Sequence, residues 1–169
     1  MMGAGKTAVG RVLAARLGVP FLDSDVEIEK AANMEISEIF QRDGEEFFRA
    51  RESEVIDRLL DAAPAILSVG GGAFLAARNR EMIAKKGLSV WLDADLELLW
   101  SRVKGKNTRP LLRTVHPRET LRALYEARVP LYALADLRVE AHRDFAIEEM
   151  AAQVEAALAA RADVLEAVG

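Results

Sequence analysis

The sequence contains no cysteine, which excludes disulfide bonds and thiolate metal sites. A chain without disulfides has no need of an oxidising compartment, so a cytoplasmic location is expected. Also missing are a signal-peptide pattern and any run of about 18 apolar residues, so neither secretion nor a membrane span is expected. Positive charge is not in excess, because the formal net charge is −4 at pH 7. A general nucleic-acid-binding protein is therefore not expected, although arginines can still cluster locally.

The pattern of apolar residues predicts one α/β domain over residues 1–169. Hydrophobic residues make up 51% of the chain, which is enough for a buried core. Helices are predicted at 6–17, 75–86, 96–104, 118–129 and 147–165, and strands at 19–22, 65–69, 88–92 and 137–139. Residues 25–61 have helical spacing in two or three pieces, broken near Asn33 and at Gly44. This alternation predicts a parallel sheet covered by helices on both faces.

The chain opens with the end of a phosphate-binding loop. Its first helical stretch begins at Gly5-Lys6-Thr7, the last part of the motif Gly, four residues, Gly-Lys-Ser/Thr. Glycines let backbone N–H groups close around phosphate oxygens, and the start of the helix adds its positive dipole end. In such a loop Lys6 would reach the β and γ phosphates of a nucleotide, and Thr7 would bind Mg²⁺.

The first glycine of that motif would lie five residues before Gly5, after a strand, and the sequence contains neither. We therefore expect the natural protein to begin further upstream, with a short apolar strand and that glycine, and Met1 or Met2 to be a misassigned start. A central strand of about five apolar residues contributes on the order of 8–15 kcal/mol, which is as much as the stability of a typical domain. The chain as written is accordingly expected to be marginally stable or unfolded on its own, and its activity is expected to be impaired.

One predicted helix has two charged residues on its apolar face. The apolar arc consists of Phe48, Val55, Ile56, Leu59 and Leu60. Arg49 and Glu52 fall within the same arc, so both charges face inward. Either they form an internal ion pair that satisfies itself, or Glu52 holds the direction of an arginine that points into a cleft.

Two predicted strands end in residues that are typical of binding sites. The strand at 19–22 leads into Asp23-Ser24-Asp25, at the strand end where open α/β sheets bind ligands. Ser24 or Asp25 could instead cap the next helix, and both roles can hold at once. The strand at 65–69 leads into Gly70-Gly71-Gly72, which indicates either a flexible turn or a backbone that a ligand must approach closely.

The segment 104–117 has no regular pattern and contains four basic residues and two prolines. A long polar loop in a compact domain is usually functional or disordered. It is either a solvated surface loop or a lid that brings Arg109 over the phosphates of a nucleotide.

Taken together, the motifs resemble those of the shikimate kinases, a family of P-loop proteins similar to nucleoside monophosphate kinases. They occur in the family's order and near its spacing, and are Gly3-Ala4-Gly5-Lys6-Thr7, Asp23-Ser24-Asp25, Phe48-Arg49, Gly70-Gly71-Gly72-Ala73, Asn107-Thr108-Arg109-Pro110-Leu111-Leu112 and Arg128-Val129-Pro130-Leu131-Tyr132. The resemblance implies a sheet of order 2-3-1-4-5, flanked by helices, whose first and central strand is missing here. It also implies a monomer that uses ATP and Mg²⁺ to phosphorylate the 3-hydroxyl of shikimate, in the chorismate pathway to aromatic amino acids.

The resemblance assigns a role to each matching residue. The nucleotide side would consist of Gly3, Ala4, Gly5, Lys6 and Thr7 around the phosphates, Asp23 holding Mg²⁺ through water, Arg102 along the adenine and Arg109 closing with the lid. The shikimate side would consist of Asp25 at the hydroxyls, where it orients or deprotonates the attacking one, Arg49 and Arg128 at the carboxylate, and Gly70, Gly71 and Gly72 against the ring. Residues 25–61 would form the substrate-binding region. His116 and His142 have no role and are expected on the surface.

Three other functions fit parts of this pattern. A related kinase for gluconate keeps the chemistry, and its substrate also carries a carboxylate. A nucleoside monophosphate kinase fits less well, because the sequence has no match to its substrate motifs. A non-catalytic module that senses an aromatic acid would normally be joined to a DNA-binding segment, for which this chain has no residues left. Lys6, Asp23, Asp25 and Arg109 together favour an enzyme.

Overall fold

The computed structural model of the chain describes residues 1–105 and 110–161. The helices are α1 Lys6–Leu17, α2 Ser24–Ala32, α3 Ile36–Leu60, α4 Ala77–Lys86, α5 Leu96–Val103, α6 Pro117–Tyr132 and α7 Ile147–Ala159. The strands are β1 Phe21–Asp23, β2 Ile66–Ser68, β3 Val90–Ala94 and β4 Leu137–Ala141. Short 3-10 helices span Ala73–Leu75 and Pro110–Leu112. Among these described elements, no helix is long and apolar enough to cross a membrane.

The four strands form two parallel pairs. β1 pairs with β2, with Phe21 opposite Ile66, and β3 pairs with β4, with Val90 opposite Leu137. The predicted parallel, helix-flanked α/β class is therefore confirmed. The described residues form two separate two-stranded sheets instead of one continuous sheet.

The largest core lies between α1, the pair β3–β4 and the helices α5, α6 and α7. Its buried side chains include Leu13 of α1, Leu99 of α5, Leu121 of α6 and Val154 of α7. The side chain of Ile66 in β2 also packs against this core. This packing holds the start of α1 next to α5. The position of the phosphate loop, which leads into α1, depends on that contact.

A second core joins α2 and α3. The buried members of this cluster are Ile28, Ile39, Phe48 and Val55. α2 ends at Asn33, which has φ 50°, and α3 is kinked at Gly44, which has φ 85° and ψ 172°. Both breaks were predicted, because asparagine and glycine tolerate the left-handed region better than other residues.

Helix α6 is longer than the sequence indicated. The prediction ended this helix at residue 129 because Pro130 follows, yet it continues to Tyr132 with Pro130 inside. Pro130 and Glu126, four residues earlier, are both exposed, so water can reach the carbonyl that the proline leaves without a helix donor. As a consequence Arg128 and Tyr132 lie one turn apart on the same helix.

Candidate active site

The start of α1 has the geometry of an anion-binding site. Gly3 and Gly5 have φ values of 78° and 87°, a region in which a side chain would be strained. The first backbone bond of the helix runs from the N–H of Val9 to the carbonyl of Gly5 at 2.9 Å. The first turn of a helix has no preceding turn to supply carbonyls, and its N–H groups are the ones that bind an anion at a helix start.

Two basic side chains hold and border this loop. Arg102 Nη1 donates to the carbonyl of Gly3 at 3.1 Å, and Lys6 Nζ donates to the carbonyl of Met1 at 3.2 Å. A Cβ on Gly3 would lie only 2.9 Å from Val103 Cγ1, so the loop packs closely on α5. Positive charge is thus concentrated at the end of α1 where phosphates would bind.

The residue that caps α2 is not one of the two expected from the sequence, which were Ser24 and Asp25. Asp23 is the cap of α2, because its Oδ1 accepts from the N–H of Asp25 at 3.0 Å. Ser24 is fully buried, and its Oγ accepts from the N–H of Gly70 at 3.3 Å. The predicted cap was therefore wrong, since the extended backbone at Asp23 places that side chain over the first turn. The carboxylate of Asp25 is not needed for capping.

Asp25 faces the glycine turn in an environment that favours its protonated form. A Cβ on Gly70 would lie 3.0 Å from Asp25 Oδ1. Burial raises the pKa of Asp25, and the charge of Asp23 raises it further, while Lys6 and Arg49 act in the opposite direction. The charges that act on Asp25 thus come from the start of α1 as well as from α2 and α3.

The predicted ion pair on the inner face of α3 is present. Arg49 Nη1 donates to Glu52 Oε2 at 2.8 Å, and Glu52 is 1% exposed. Burial raises the pKa of Glu52, while the hydrogen bond from Arg49 lowers it. The guanidinium of Arg49 also reaches the glycine turn, since a Cβ on Gly72 would lie 2.5 Å from its Nη2. The pair therefore satisfies Glu52 and at the same time directs Arg49 at Gly72.

The middle glycine is contacted from α6. A Cβ on Gly71 would lie 3.4 Å from both Arg128 Nη1 and the hydroxyl oxygen of Tyr132. The Tyr132 hydroxyl donates to the carbonyl of Gly71 at 2.7 Å. Burial raises the pKa of Tyr132, so it remains a donor at neutral pH. No role was predicted for Tyr132, although its spacing of four residues from Arg128 was a signal that both lie on one helix face.

A buried polar network fixes the turn to α3 and α4. Ser53 Oγ donates to Asn79 Oδ1 at 2.7 Å, and Asn79 Nδ2 donates to the carbonyl of Ala73 at 2.9 Å. Asn79 is 1% exposed, so both bonds lie away from water. Sequence reasoning missed this network, because a single asparagine in a helix carries no pattern.

The remaining predicted residues are surface residues or lie outside the described part of the chain. His116 and His142 are exposed, as predicted. Thr7 is also exposed, at the start of α1. Arg109 is not among the described residues. Within the described ranges, no group of three or more His, Asp or Glu side chains could hold a metal ion by itself.

Comparison with known proteins identifies close relatives. A sequence model described as "Shikimate kinase" matches residues 2–159. The chain is 70% identical to the shikimate kinase of Ruegeria pomeroyi, over 98% of this chain and 85% of that protein. It is 64% identical to the shikimate kinase of Cereibacter sphaeroides, over 98% of this chain and 83% of that protein. Among solved structures, it is similar to the shikimate kinase of Acinetobacter baumannii in complex with shikimate, with a TM-score of 0.87 and 39% identity over 95% of this chain and 89% of that one.

Proposed function

The chain belongs to the shikimate kinase family, and on this basis we propose how its residues transfer the γ-phosphoryl group of ATP to the 3-hydroxyl of shikimate. This activity is that of a phosphotransferase with an alcohol group as acceptor, in the chorismate pathway. One observation carries the assignment of the site. The three consecutive glycines face three different functional side chains, which are Asp25 at Gly70, Arg128 at Gly71 and Arg49 at Gly72.

Arg49 and Arg128 bind the carboxylate of shikimate. They come from different helices, α3 and α6, and meet at neighbouring glycines. Each charge-assisted hydrogen bond to a carboxylate contributes about 1.5–3 kcal/mol. The absence of side chains on the turn lets Asp25, Arg49 and Arg128 approach its backbone closely, so that a ring bound between these groups would lie next to the glycines.

Asp25 accepts the proton of the 3-hydroxyl as that oxygen attacks the γ-phosphorus. The new oxygen–phosphorus bond forms while the bond to the bridging oxygen breaks and ADP leaves. The raised pKa of Asp25 makes this carboxylate a stronger base than an ordinary aspartate. Since Glu52 is paired with Arg49 and nearly fully buried, Asp25 is the carboxylate assigned to this proton.

The nucleotide side supports binding of ATP with Mg²⁺. The N–H groups at the start of α1 and the ammonium of Lys6 bind the phosphates. Thr7 would supply an oxygen ligand to Mg²⁺ and Asp23 would hold the ion through a water molecule, which fits an ion that is usually bound by few protein groups and keeps several waters. When bound, Mg²⁺ neutralises charge on the β and γ phosphates.

Two further assignments rest on the family resemblance. Arg102, which donates to the loop at Gly3, lies along the adenine. Arg109 closes over the transferred phosphoryl group as part of a lid formed by residues 104–117, next to a substrate-binding region formed by residues 25–61.

Replacing Gly72 with alanine is expected to raise the KM for shikimate by about tenfold with little change in the KM for ATP. The new Cβ would lie 2.5–2.8 Å from three atoms of the Arg49 guanidinium, which must then move. Gly87→Ala is the matched control, because its Cβ would make only ordinary contacts at 3.6 and 3.7 Å. Steady-state kinetics of both variants check this. Equal KM values for shikimate in the two variants would show that Arg49 need not approach the turn.

The two strand pairs are further proposed to be the halves of one sheet of order 2-3-1-4-5. In this order strand 1 precedes the phosphate loop and lies between β2 and β3, which count as strands 3 and 4. Both pairs are parallel and border the same core, in which Met1 is 5% exposed. Extending the chain with a short apolar strand and the missing motif glycine should slow amide hydrogen exchange in β2 and β3. Unchanged exchange rates in both strands would contradict this order.

The protein is also proposed to act as a monomer in the cytoplasm, with a small molecule as its only partner. All groups assigned to the reaction come from one chain, so no second copy is needed to complete the site. Size-exclusion chromatography with light scattering would reveal a stable dimer if this is wrong.

The product of the reaction tests the proposed function. Incubation with Mg²⁺-ATP and shikimate should give ADP and a phosphate ester at the 3-hydroxyl, visible as a phosphorus coupling to the proton at carbon 3 in NMR spectra. A phosphate on another hydroxyl would contradict the placement of Asp25.

A further inference from the structure

Tyr132 is a buried residue of α6 whose hydroxyl lies at the glycine turn. Its O–H donates to the carbonyl of Gly71 at 2.7 Å. Its oxygen and Arg128 Nη1 both lie 3.4 Å from the position that a Cβ on Gly71 would take. The two side chains are four residues apart in one helix, a spacing that places them on the same face. The backbone of the turn and the guanidinium of Arg128 thus meet at one hydroxyl group.

The direction of the hydrogen bonds at this hydroxyl follows from the chemistry of the three groups. A carbonyl oxygen only accepts, a guanidinium only donates, and a hydroxyl can do both. The O–H of Tyr132 is used by Gly71, so the hydroxyl oxygen is the acceptor for Arg128. Burial raises the pKa of Tyr132, while the charge of Arg128 and its hydrogen bond lower it. A guanidinium that donates to the oxygen acts in this direction, because it favours the ionised form.

The ring of Tyr132 is held in place independently of its hydroxyl. The residue is 5% exposed and belongs to the largest core. Its ring centroid lies 6.4 Å from that of Trp91 in β3, with the two rings tilted by 37°. Aromatic rings at this separation stabilise each other. The hydroxyl therefore projects from a fixed ring, and a phenylalanine at this position can keep the packing while it loses the hydrogen bonds.

The two arginines assigned to the shikimate carboxylate differ in what directs them. Arg49 is paired with Glu52 at 2.8 Å. Arg128 has no carboxylate partner within the part of the chain that the structure describes. A long side chain loses rotamer freedom when it binds a ligand, and a fixed acceptor beside it reduces that cost. The hydroxyl of Tyr132 is such an acceptor for Arg128.

We propose that Tyr132 is a positioning residue for shikimate, which acts through Arg128 and does not itself touch the substrate. Its oxygen accepts from one N–H of the guanidinium and leaves the others for the carboxylate. Its O–H holds the carbonyl of Gly71, so that the guanidinium and the turn keep a constant separation. This role rests on the proposed function, since it requires that Arg128 binds the carboxylate of shikimate.

Tyr132→Phe tests this role in the 169-residue protein, because it removes the hydroxyl and keeps the ring. The KM for shikimate should rise about tenfold, as expected for one lost hydrogen bond to a charged group. The turnover number and the KM for ATP should change little. Tyr125→Phe is the matched control, since Tyr125 is the other tyrosine of the chain and lies on the same helix. The charges that act on its hydroxyl include Asp93 and Asp95 at the end of β3, so both KM values should stay unchanged.

The double variant Tyr132→Phe/Arg128→Ala separates action through Arg128 from direct contact with the substrate. Isothermal titration should give it the same shikimate affinity as Arg128→Ala alone, because the group that Tyr132 positions is gone. Additive losses would overturn the proposal, since the hydroxyl would then act without Arg128. An unchanged KM for shikimate in Tyr132→Phe would also overturn it, as would an equal rise in the KM for ATP. These results would leave the proposed function intact, whereas an unaltered protein that does not bind shikimate would overturn both.

Discussion

Replacing Asp25 with asparagine is expected to lower the turnover number by roughly 10²–10⁴-fold, the usual contribution of a general base. Asparagine keeps the shape of the side chain but cannot accept the proton of the 3-hydroxyl. The fold should survive, because Asp23 and not Asp25 caps α2. Removing a partly buried carboxylate whose pKa is raised should also cost the protein no stability at neutral pH.

The dependence of activity on pH provides a second readout of the same group. Asp25 must be ionised to act as a base, so kcat/KM falls as the pH drops through its pKa. Burial raises that pKa, so the acid limb should lie above the ordinary range of an aspartate. Asp57→Asn, at an exposed surface ion pair with Lys86, is the control and should keep both turnover and the acid limb. A near-normal rate for Asp25→Asn would show that this residue is only structural.

Removing Arg49 or Arg128, the two arginines proposed to bind the shikimate carboxylate, has the next largest expected effect. Arg49→Ala and Arg128→Ala should each weaken shikimate binding by about 10–150-fold, corresponding to 1.5–3 kcal/mol for a charge-assisted hydrogen bond. ATP binding should change little, because the phosphates bind at the start of α1. Isothermal titration with each ligand measures both quantities. Arg118→Ala, at an exposed ion pair with Glu97, is the control and should leave both affinities unchanged.

The two arginines should differ in their effect on stability. Arg49→Ala leaves Glu52 buried without its partner, whereas Arg128 pairs with no buried carboxylate in the described residues. Arg49→Ala should therefore lower the unfolding temperature more than Arg128→Ala does. The double variant Arg49→Ala/Glu52→Gln should recover part of that loss without recovering shikimate binding. If the double variant recovered both stability and shikimate binding, Arg49 would have a role in the fold alone. The same conclusion would follow if Arg49→Ala weakened ATP and shikimate binding equally.

Local sequence signals predicted most of the helical structure. α1 was predicted with its observed bounds, because its apolar spacing is regular and Gly18 ends it in a left-handed conformation. The breaks at Asn33 and Gly44 were also predicted, because both residue types tolerate the positive φ values found there. Strand bounds were less accurate, since pairing between β1 and β2 depends on a partner more than 40 residues away. The length of α6 was underestimated, because a proline on an exposed face costs less than one in a buried turn.

The candidate site was predicted residue by residue, but its internal contacts were not. Motif matches indicated that Asp25, Arg49, Arg128 and the glycine turn act together. That each glycine faces a different side chain depends on how α2, α3 and α6 pack around the turn. The capping role of Asp23 and the bond from Tyr132 to Gly71 depend on backbone direction, which local patterns do not specify.

Rates of ADP formation with a panel of acceptors test the central claim most directly. The panel consists of shikimate, quinate, gluconate and nucleoside monophosphates, each with Mg²⁺-ATP and the 169-residue protein. A site with two arginines for a carboxylate and Asp25 for a neighbouring hydroxyl should give the highest kcat/KM with shikimate, and Asp25→Asn should remove that activity. Faster ADP formation with gluconate or a nucleotide than with shikimate would contradict the account.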